Sequence, residues 1–296
     1  MTAAPDPIRP DEPRGRLRAR PTDLTAADVR WLAWHEARAH ALLGREVRDL
    51  GDAVLLHDPT DREPFWNRVA GIDWPTEARA FDRRLTEMFA LFAGIDRIPH
   101  VWPLPPFDEP ADLVARLLAN GFEDHGRGLL MLLRPERIAL SLDPPGAPGE
   151  VTIERLHRLG GDAAASAATA IGEVLVESFM VEPERRVSIE LEALQGLQLD
   201  TYHAVLVRVG GQPAAVARRT TFAGASYLSS IGTHPVFRGR GLGRLATSIA
   251  TSDALAADSG LVYLGVFEEN TVARGMYERL GFAVVGDPGP DLLLRG

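Results

Sequence analysis

The sequence predicts an α/β (α+β) protein in two parts, and three observations carry that reading. Apolar runs rich in strand-type residues alternate with stretches whose apolar residues recur at helical spacing. The stretch Ser226–Ala250 reads as a strand, a glycine-rich turn and a helix, with Tyr227, Leu228 and Ile231 before the turn and Leu242, Leu245, Ala246 and Ile249 after it. A pattern of helix, Gly-Phe, short loop and apolar strand occurs twice, at 117–133 and at 277–294.

Composition narrows the function classes. A chain of 296 residues with 45% hydrophobic content can build one large or two ordinary cores. It has no cysteine, which excludes disulfides, thiolate metal sites and cysteine nucleophiles, and no metal is expected. The net charge is −9 and both halves are acidic, which argues against a nucleic-acid partner. Every basic residue besides histidine is arginine. The first twenty residues lack the apolar run of a secretory signal, and no stretch approaches the ~20 apolar residues of a membrane helix. The expectation is a cytoplasmic protein without a membrane partner; a homodimer is left open.

Taken in order, residues 1–22, rich in Pro and Arg, read as a disordered tail. Leu24–Leu43 reads as a helix with Thr22 or Asp23 near its cap. Strands are expected at Val47–Leu50 and Ala53–His57, and Pro64–Gly71 reads as a loop with buried aromatics. A helix over Pro75–Phe92, a strand over Ile98–Trp102, a helix over Glu109–Ala119 and a strand over Gly128–Leu133 complete a first domain, 23–141. Leu142–Gly149 is a linker by composition. The second domain, 150–296, begins with a strand over Val151–Leu156 and helices over Ala163–Phe179 and Pro183–Leu197. A hairpin follows, formed by Tyr202–Val209 and Pro213–Thr220 across Gly210-Gly211. After the 226–250 unit come a strand over Leu261–Phe267, a helix over 270–280 with Asn270 as cap and Gly281 as stop, and strands near 282–285 and 291–295.

The chemistry concentrates between Arg238 and Arg244. Gly239, Gly241 and Gly243 let the backbone turn several N–H groups toward one point, and Leu242 begins a helix whose N-terminus is electropositive. With Arg238, Arg240 and Arg244 this reads as a diphosphate site. A Walker A loop would need a lysine, and a dinucleotide fingerprint starting at Gly239 would need glycine where Arg244 stands. The pattern Arg-x-x-Gly-x-Gly, as Arg238, Gly241 and Gly243 after a strand, resembles the acetyl-CoA loop of the GCN5-related N-acetyltransferase (GNAT) family. Asn270, Tyr277, Gly281 and Phe282 match a second motif of that family. The resemblance covers 150–296.

That resemblance implies a GNAT fold, a mixed twisted sheet flanked by helices, and transfer of an acetyl group from acetyl-CoA, or a related acyl-CoA, to a small-molecule or protein amine. It implies that Ile231 and Thr233 line the pantetheine arm. Loop amides and arginines would hold the phosphates, and Asn270 and Ala273 would belong to the cofactor side. Tyr277 would give a proton to the leaving thiolate. For the base, Glu177 is the candidate by position, with Glu268 and Glu269 as alternatives; His234 reads as structural and His203 as buried and paired. The first domain resembles a degenerate GNAT domain: aligned on Gly-Phe, Leu117 stands where Tyr277 does, and no Arg-x-x-Gly-x-Gly precedes it. All five tryptophans lie in that half and read as core, although Trp66 or Trp102 would shape an acceptor pocket if the half covers the cleft. Two further readings compete with the enzyme: a non-catalytic acyl-CoA-binding or sensing module, and a nucleotide-binding protein, which the missing lysine disfavours.

Overall fold

The computed structural model describes residues 24–145 and 150–295. The expected tail 1–22 lies outside the described residues, as do residues 146–149 of the expected linker.

The elements run α1 (Ala26–Ala39), β1 (Glu46–Asp49), β2 (Val54–His57), β3 (Arg68–Ala70), α2 (Ala78–Gly94), β4 (His100–Trp102), α3 (Leu113–Ala119) and β5 (Phe122–Leu133). Then come β6 (Val151–Leu156), α4 (Gly161–Phe179), α5 (Arg186–Leu197), β7 (Tyr202–Val209), β8 (Gln212–Phe222), β9 (Ala225–Thr233), α6 (Leu242–Ala256), β10 (Leu261–Phe267), α7 (Thr271–Leu280) and β11 (Phe282–Leu294). They group into two units. The N-terminal unit holds the described residues through Met131 together with Gly265–Arg274 and the residues from Val284 on; the C-terminal unit holds Leu132–Leu264 and Gly275–Ala283.

In the N-terminal unit the strand order is β1-β2-β3-β4-β11-β5. β3 pairs parallel with β4, while β1 with β2, β2 with β3, and β4 with β11 are antiparallel. The chain therefore returns its last strand to sit among first-half strands, with Leu292 opposite Val101. Phe81, Leu85, Met88 and Phe92 on one stripe of α2 pack onto Leu55, Val69, Val101 and Leu292. The helix cap of α1 is Thr25 rather than Thr22 or Asp23: its hydroxyl accepts from the Asp28 N–H at 3.3 Å, and the Asp28 carboxylate accepts in return from the Thr25 N–H at 2.9 Å.

Two expectations for strands need correction. Pro64–Gly71 is not wholly loop, because Arg68–Ala70 forms β3. Three residues are too short for alternation to register, and the strand is held by Val69 and Ala70 opposite Val101 and Trp102. The expected pair of strands near 282–285 and 291–295 is one strand, β11. Gly286 takes φ +71°, and a side chain on Gly286 or Gly289 would collide with the carbonyls of Pro105 and Pro103, so these glycines let the strand pass a proline-rich segment instead of breaking it.

In the C-terminal unit the order is β10-β9-β8-β7-β6, with β10 parallel to β9 and the rest antiparallel. The sheet is mixed and flanked by helices: α4 packs on β8 and β9, α5 on β7, and α6 on β7, β8 and β9. The alternation of strand residues separates the two faces. Arg218 turns to Glu192 of α5, whereas its neighbour Arg219 shares a cavity with α6.

Candidate active site

The C-terminal unit builds its most specialised backbone where β9 runs into α6. Ser230 adopts φ +46° inside β9, and the pairing with β8 slips there: Arg218 faces Ser229 but Val216 faces Gly232. Ala217 thus opposes two residues, a bulge that re-aims the end of the strand. The parallel register with β10 stops at Leu264 opposite Leu228, while β9 runs on to Thr233. Ile231 and Thr233 both lie past that last pair and are partly buried.

Close packing fixes this strand end. A Cβ on Gly232 would lie 2.7 Å from the Ser178 hydroxyl of α4, so only glycine lets the helix approach so near. The Ser178 hydroxyl is buried without a hydrogen-bond partner among the described residues. Sequence reasoning did not single out Ser178; the strand glycine opposite it was the available signal. After Thr233, His234 caps a single 3-10 turn, its Nδ1 accepting from the Val236 N–H at 3.4 Å, the structural role expected of it.

The loop then reverses on glycine. Gly239 and Gly241 sit at φ +78° and +77°, and a side chain at either position would point into open space. Gly241 occupies the N-cap of α6 with no side chain to satisfy the helix's first amides, which point outward along the axis. Gly243 is required for a different reason: its Cβ would fall 2.6 Å from the Thr233 hydroxyl and 4.0 Å from the Met276 sulfur of α7. The N-terminus of α6 therefore presses directly against the end of β9. Gly241 leaves the first amides of α6 without a capping side chain, and Gly239 and Gly241 add none of their own beside them.

The three arginines differ. Arg238 binds main-chain oxygens, with Nη2 donating to the Ser178 carbonyl at 2.9 Å and Nε to the Thr233 carbonyl at 3.3 Å, so it ties α4 to the strand end. Arg240 pairs with Glu150 at 2.5 Å in a partly exposed bridge. Arg244 is exposed on the first turn of α6.

Tyr277 is 5% exposed, with its ring 6.2 Å from Phe282. Burial raises its phenol well above the ordinary tyrosine range, which keeps the proton on. Glu177 is exposed near the C-terminal end of α4, one residue before Ser178. Asn270 and Ala273 belong to the N-terminal unit, where the Asn270 side chain accepts from the Ala273 N–H at 3.2 Å and caps α7 as expected. Glu268 and Glu269 fall in that unit too. Trp66 and Trp102 are committed to its packing: Arg45 lies 3.6 Å over the Trp66 ring, and Trp102 donates to Asp291 at 2.9 Å. His203 is partly buried and stacks on His157 at 4.0 Å.

A glycine-built, uncapped helix N-terminus next to a bulged strand end fits a pyrophosphate. Among the described residues no cluster of His, Asp or Glu has metal-binding form. No described helix is long and apolar enough to cross a membrane.

The family described as "Acetyltransferase (GNAT) family" matches residues 169–282. No curated protein matches the chain significantly. Among solved structures, a GCN5-related N-acetyltransferase from Kribbella flavida is 23% identical, with TM-score 0.62 over 90% of this chain and 96% of its own. A tandem GNAT protein from the clavulanic acid biosynthesis pathway is 17% identical, with TM-score 0.58 over 93% and 95%. A conserved protein of unknown function from Staphylococcus epidermidis is 12% identical, with TM-score 0.60 over 87% and 97%. These likenesses extend through both halves, so the first half is compatible with a second GNAT-like domain. Residues 169–282, less than half of the chain, are thus similar to the acetyltransferase (GNAT) family.

Proposed function

We propose that the chain is an acyl-CoA-dependent N-acyltransferase. Residues 150–296 would carry the activity, with acetyl from acetyl-CoA going to an amine by direct attack in a ternary complex. Residues 23–141, joined by the linker 142–149, would form a GNAT-like domain without cofactor equipment of its own. The observation that carries this reading is the helix N-terminus at 239–243, open at Gly239 and Gly241 and pressed against the bulged end of β9.

In this reading the amides of Gly239–Arg244 and the Arg240 and Arg244 guanidiniums grip the phosphates. Main-chain groups of β9 from Ile231 to Thr233 align the pantetheine arm. The acceptor nitrogen, once deprotonated, attacks the thioester carbonyl; the carbon–sulfur bond breaks and the thiolate leaves. Tyr277 supplies the thiolate's proton; burial keeps that proton on the phenol in the resting protein and also makes the phenol a weaker acid, so the transfer depends on the bound thiolate lying close to it. Glu177 is the proposed base, reaching the ammonium directly or through water. Asn270 and Ala273 stand as cofactor residues on the resemblance alone.

The deciding experiment is thiol release from acetyl-CoA with a panel of small amines and peptide N-termini, run beside CoA binding by thermal shift. Turnover on any amine supports the enzyme. Binding without turnover on every amine favours a non-catalytic acyl-CoA sensor, and no binding of any CoA ester ends both readings.

A further inference from the structure

The C-terminal unit contains a cavity of about 330 Å³ that the proposed acyl transfer does not use. It opens between β6–β8 and the C-terminal half of α6, and its polar lining is Arg155, His157, His203, Arg219 and Asp253. It is separate from the loop 238–244. Gly243 and Asp253 are ten residues apart on α6, about 15 Å along the axis.

Register builds the charged wall. His203 of β7 lies directly opposite Arg219 of β8, and Leu156 of β6 opposite Ala204, which brings His157 beside His203. The two imidazoles stack at 4.0 Å with 16° between their planes. His157 donates Nδ1–H to the Tyr202 carbonyl at 3.2 Å.

Arg219 is the telling residue. It is 5% exposed, yet no carboxylate among the described residues bonds it. Its Nη1 donates to the Thr221 hydroxyl at 2.7 Å, and its Nε is buried without a partner among those residues. Asp253, the carboxylate in the lining, is bonded to Arg155 at 2.9 Å. Asp253 attracts it through space, but a buried guanidinium with no hydrogen-bonded anion is costly. The surroundings respond to it: burial, Arg219 and His157 together hold His203 down at about 3, so at neutral pH its imidazole is uncharged. The remaining walls include Leu156, Val205, Ala217 and Ala250, small and apolar.

We infer that this cavity is a second ligand site, which takes a small carboxylate with a compact apolar body, the carboxylate on Arg219 and the body against the alanines. Benzoate is a suitable probe, with benzamide as its neutral isostere and inorganic phosphate as an anion lacking the apolar body. Benzoate should raise the melting temperature of the full chain and bind by calorimetry, while benzamide and phosphate should do neither. Arg219→Gln should weaken benzoate at least tenfold and leave CoA binding intact. Ala256→Leu, at the exposed end of α6, should do the same by narrowing the mouth while keeping Arg219. In the histidine NMR spectrum, bound benzoate should move the His203 titration to higher pH, since an anion offsets the Arg219 charge.

No benzoate binding would overturn the inference, as would equal binding of benzamide or undiminished binding by a folded Arg219→Gln protein. Phosphate alone binding would mark the cavity as a bare anion site and overturn the carboxylate assignment. None of these outcomes depends on acyl transfer, so failure here and failure of the proposed activity can be told apart.

Discussion

Replacing Gly243 by alanine tests the phosphate grip at the atom level. Position 243 is helical, so alanine alone would gain about 1 kcal/mol in propensity over glycine. Against that, the new methyl would sit 2.6 Å from the Thr233 hydroxyl oxygen. Ordinary contacts are about 3.5 Å or longer, so the helix start and the strand end must part by about 1 Å. Overpacking of this kind costs about 1–3 kcal/mol, and the two effects leave a net loss of about 0–2 kcal/mol. The melting temperature should fall by about 0–8 °C. Ligand binding should suffer more, because the displaced groups are the amides that would meet the diphosphate. A misplacement of about 1 Å can cost on the order of 100-fold where geometry is tight. We expect CoA affinity, measured by calorimetry, to fall roughly 10- to 100-fold. Adding Thr233→Ala removes the offending oxygen and should recover most of the loss. Gly243→Ala protein that binds CoA as tightly as the parent would refute the reasoning, and so would a double variant no better than the single one.

Three other outcomes follow from the same structure. Arg218→Met should destabilise by about 3–5 kcal/mol in urea titration, because it removes the guanidinium 2.7 Å from the Glu192 carboxylate, which is 10% exposed; adding Glu192→Leu should restore much of that. Tyr277→Phe should lower kcat about 10- to 100-fold with little change in the KM for acetyl-CoA, and an unchanged kcat would remove Tyr277 as the acid. His203 has a folded pKa of about 3 against an ordinary 6.5, so the unfolded chain binds the extra proton; its contribution to stability is present above about 6.5 and lost as pH falls toward 3. His203→Gln should therefore flatten the stability profile in that window by up to ~1.4 kcal/mol per pH unit, read from urea midpoints at several pH values.

What could be read from the residues depended on how local the cause was. The turn at 239–243 was legible because left-handed backbone and a bare helix start call for glycine whatever surrounds them. β7 and β10 came out with the expected bounds because each is predominantly apolar and rich in strand-type residues. The repeated helix and Gly-Phe hold as well, with Gly121 and Gly281 at φ +90° and +106° ending α3 and α7, but the short loop expected after each Gly-Phe is strand, since β5 and β11 begin at Phe122 and Phe282. Strand partners were not legible. Nothing in Leu292 or Leu293 states that they will lie opposite Val101 and His100, residues nearly two hundred positions earlier. The same holds for the second cavity, whose histidines and Arg219 meet only through the register of three strands.

Charge was the subtler matter. Arg238, Arg240 and Arg244 are equivalent as letters, and the sequence counts all three toward phosphate. The fold divides their labour. Arg238 spends its donors on two carbonyls that lock α4 to the end of β9, the surfaces whose closeness Gly232 and Gly243 permit. Its loss should loosen the seat more than it removes a ligand. Arg240 is held by Glu150 in a bridge open enough to exchange for a phosphate, since exposed pairs are worth only about 0–1 kcal/mol. In the proposed site the fixed part of the grip would be the peptide backbone, with arginine charge adjusting its strength. On this argument Arg240→Ala should weaken CoA binding in a salt-dependent way, whereas the Gly243→Ala defect should persist at high salt, because a displaced amide is not screened away.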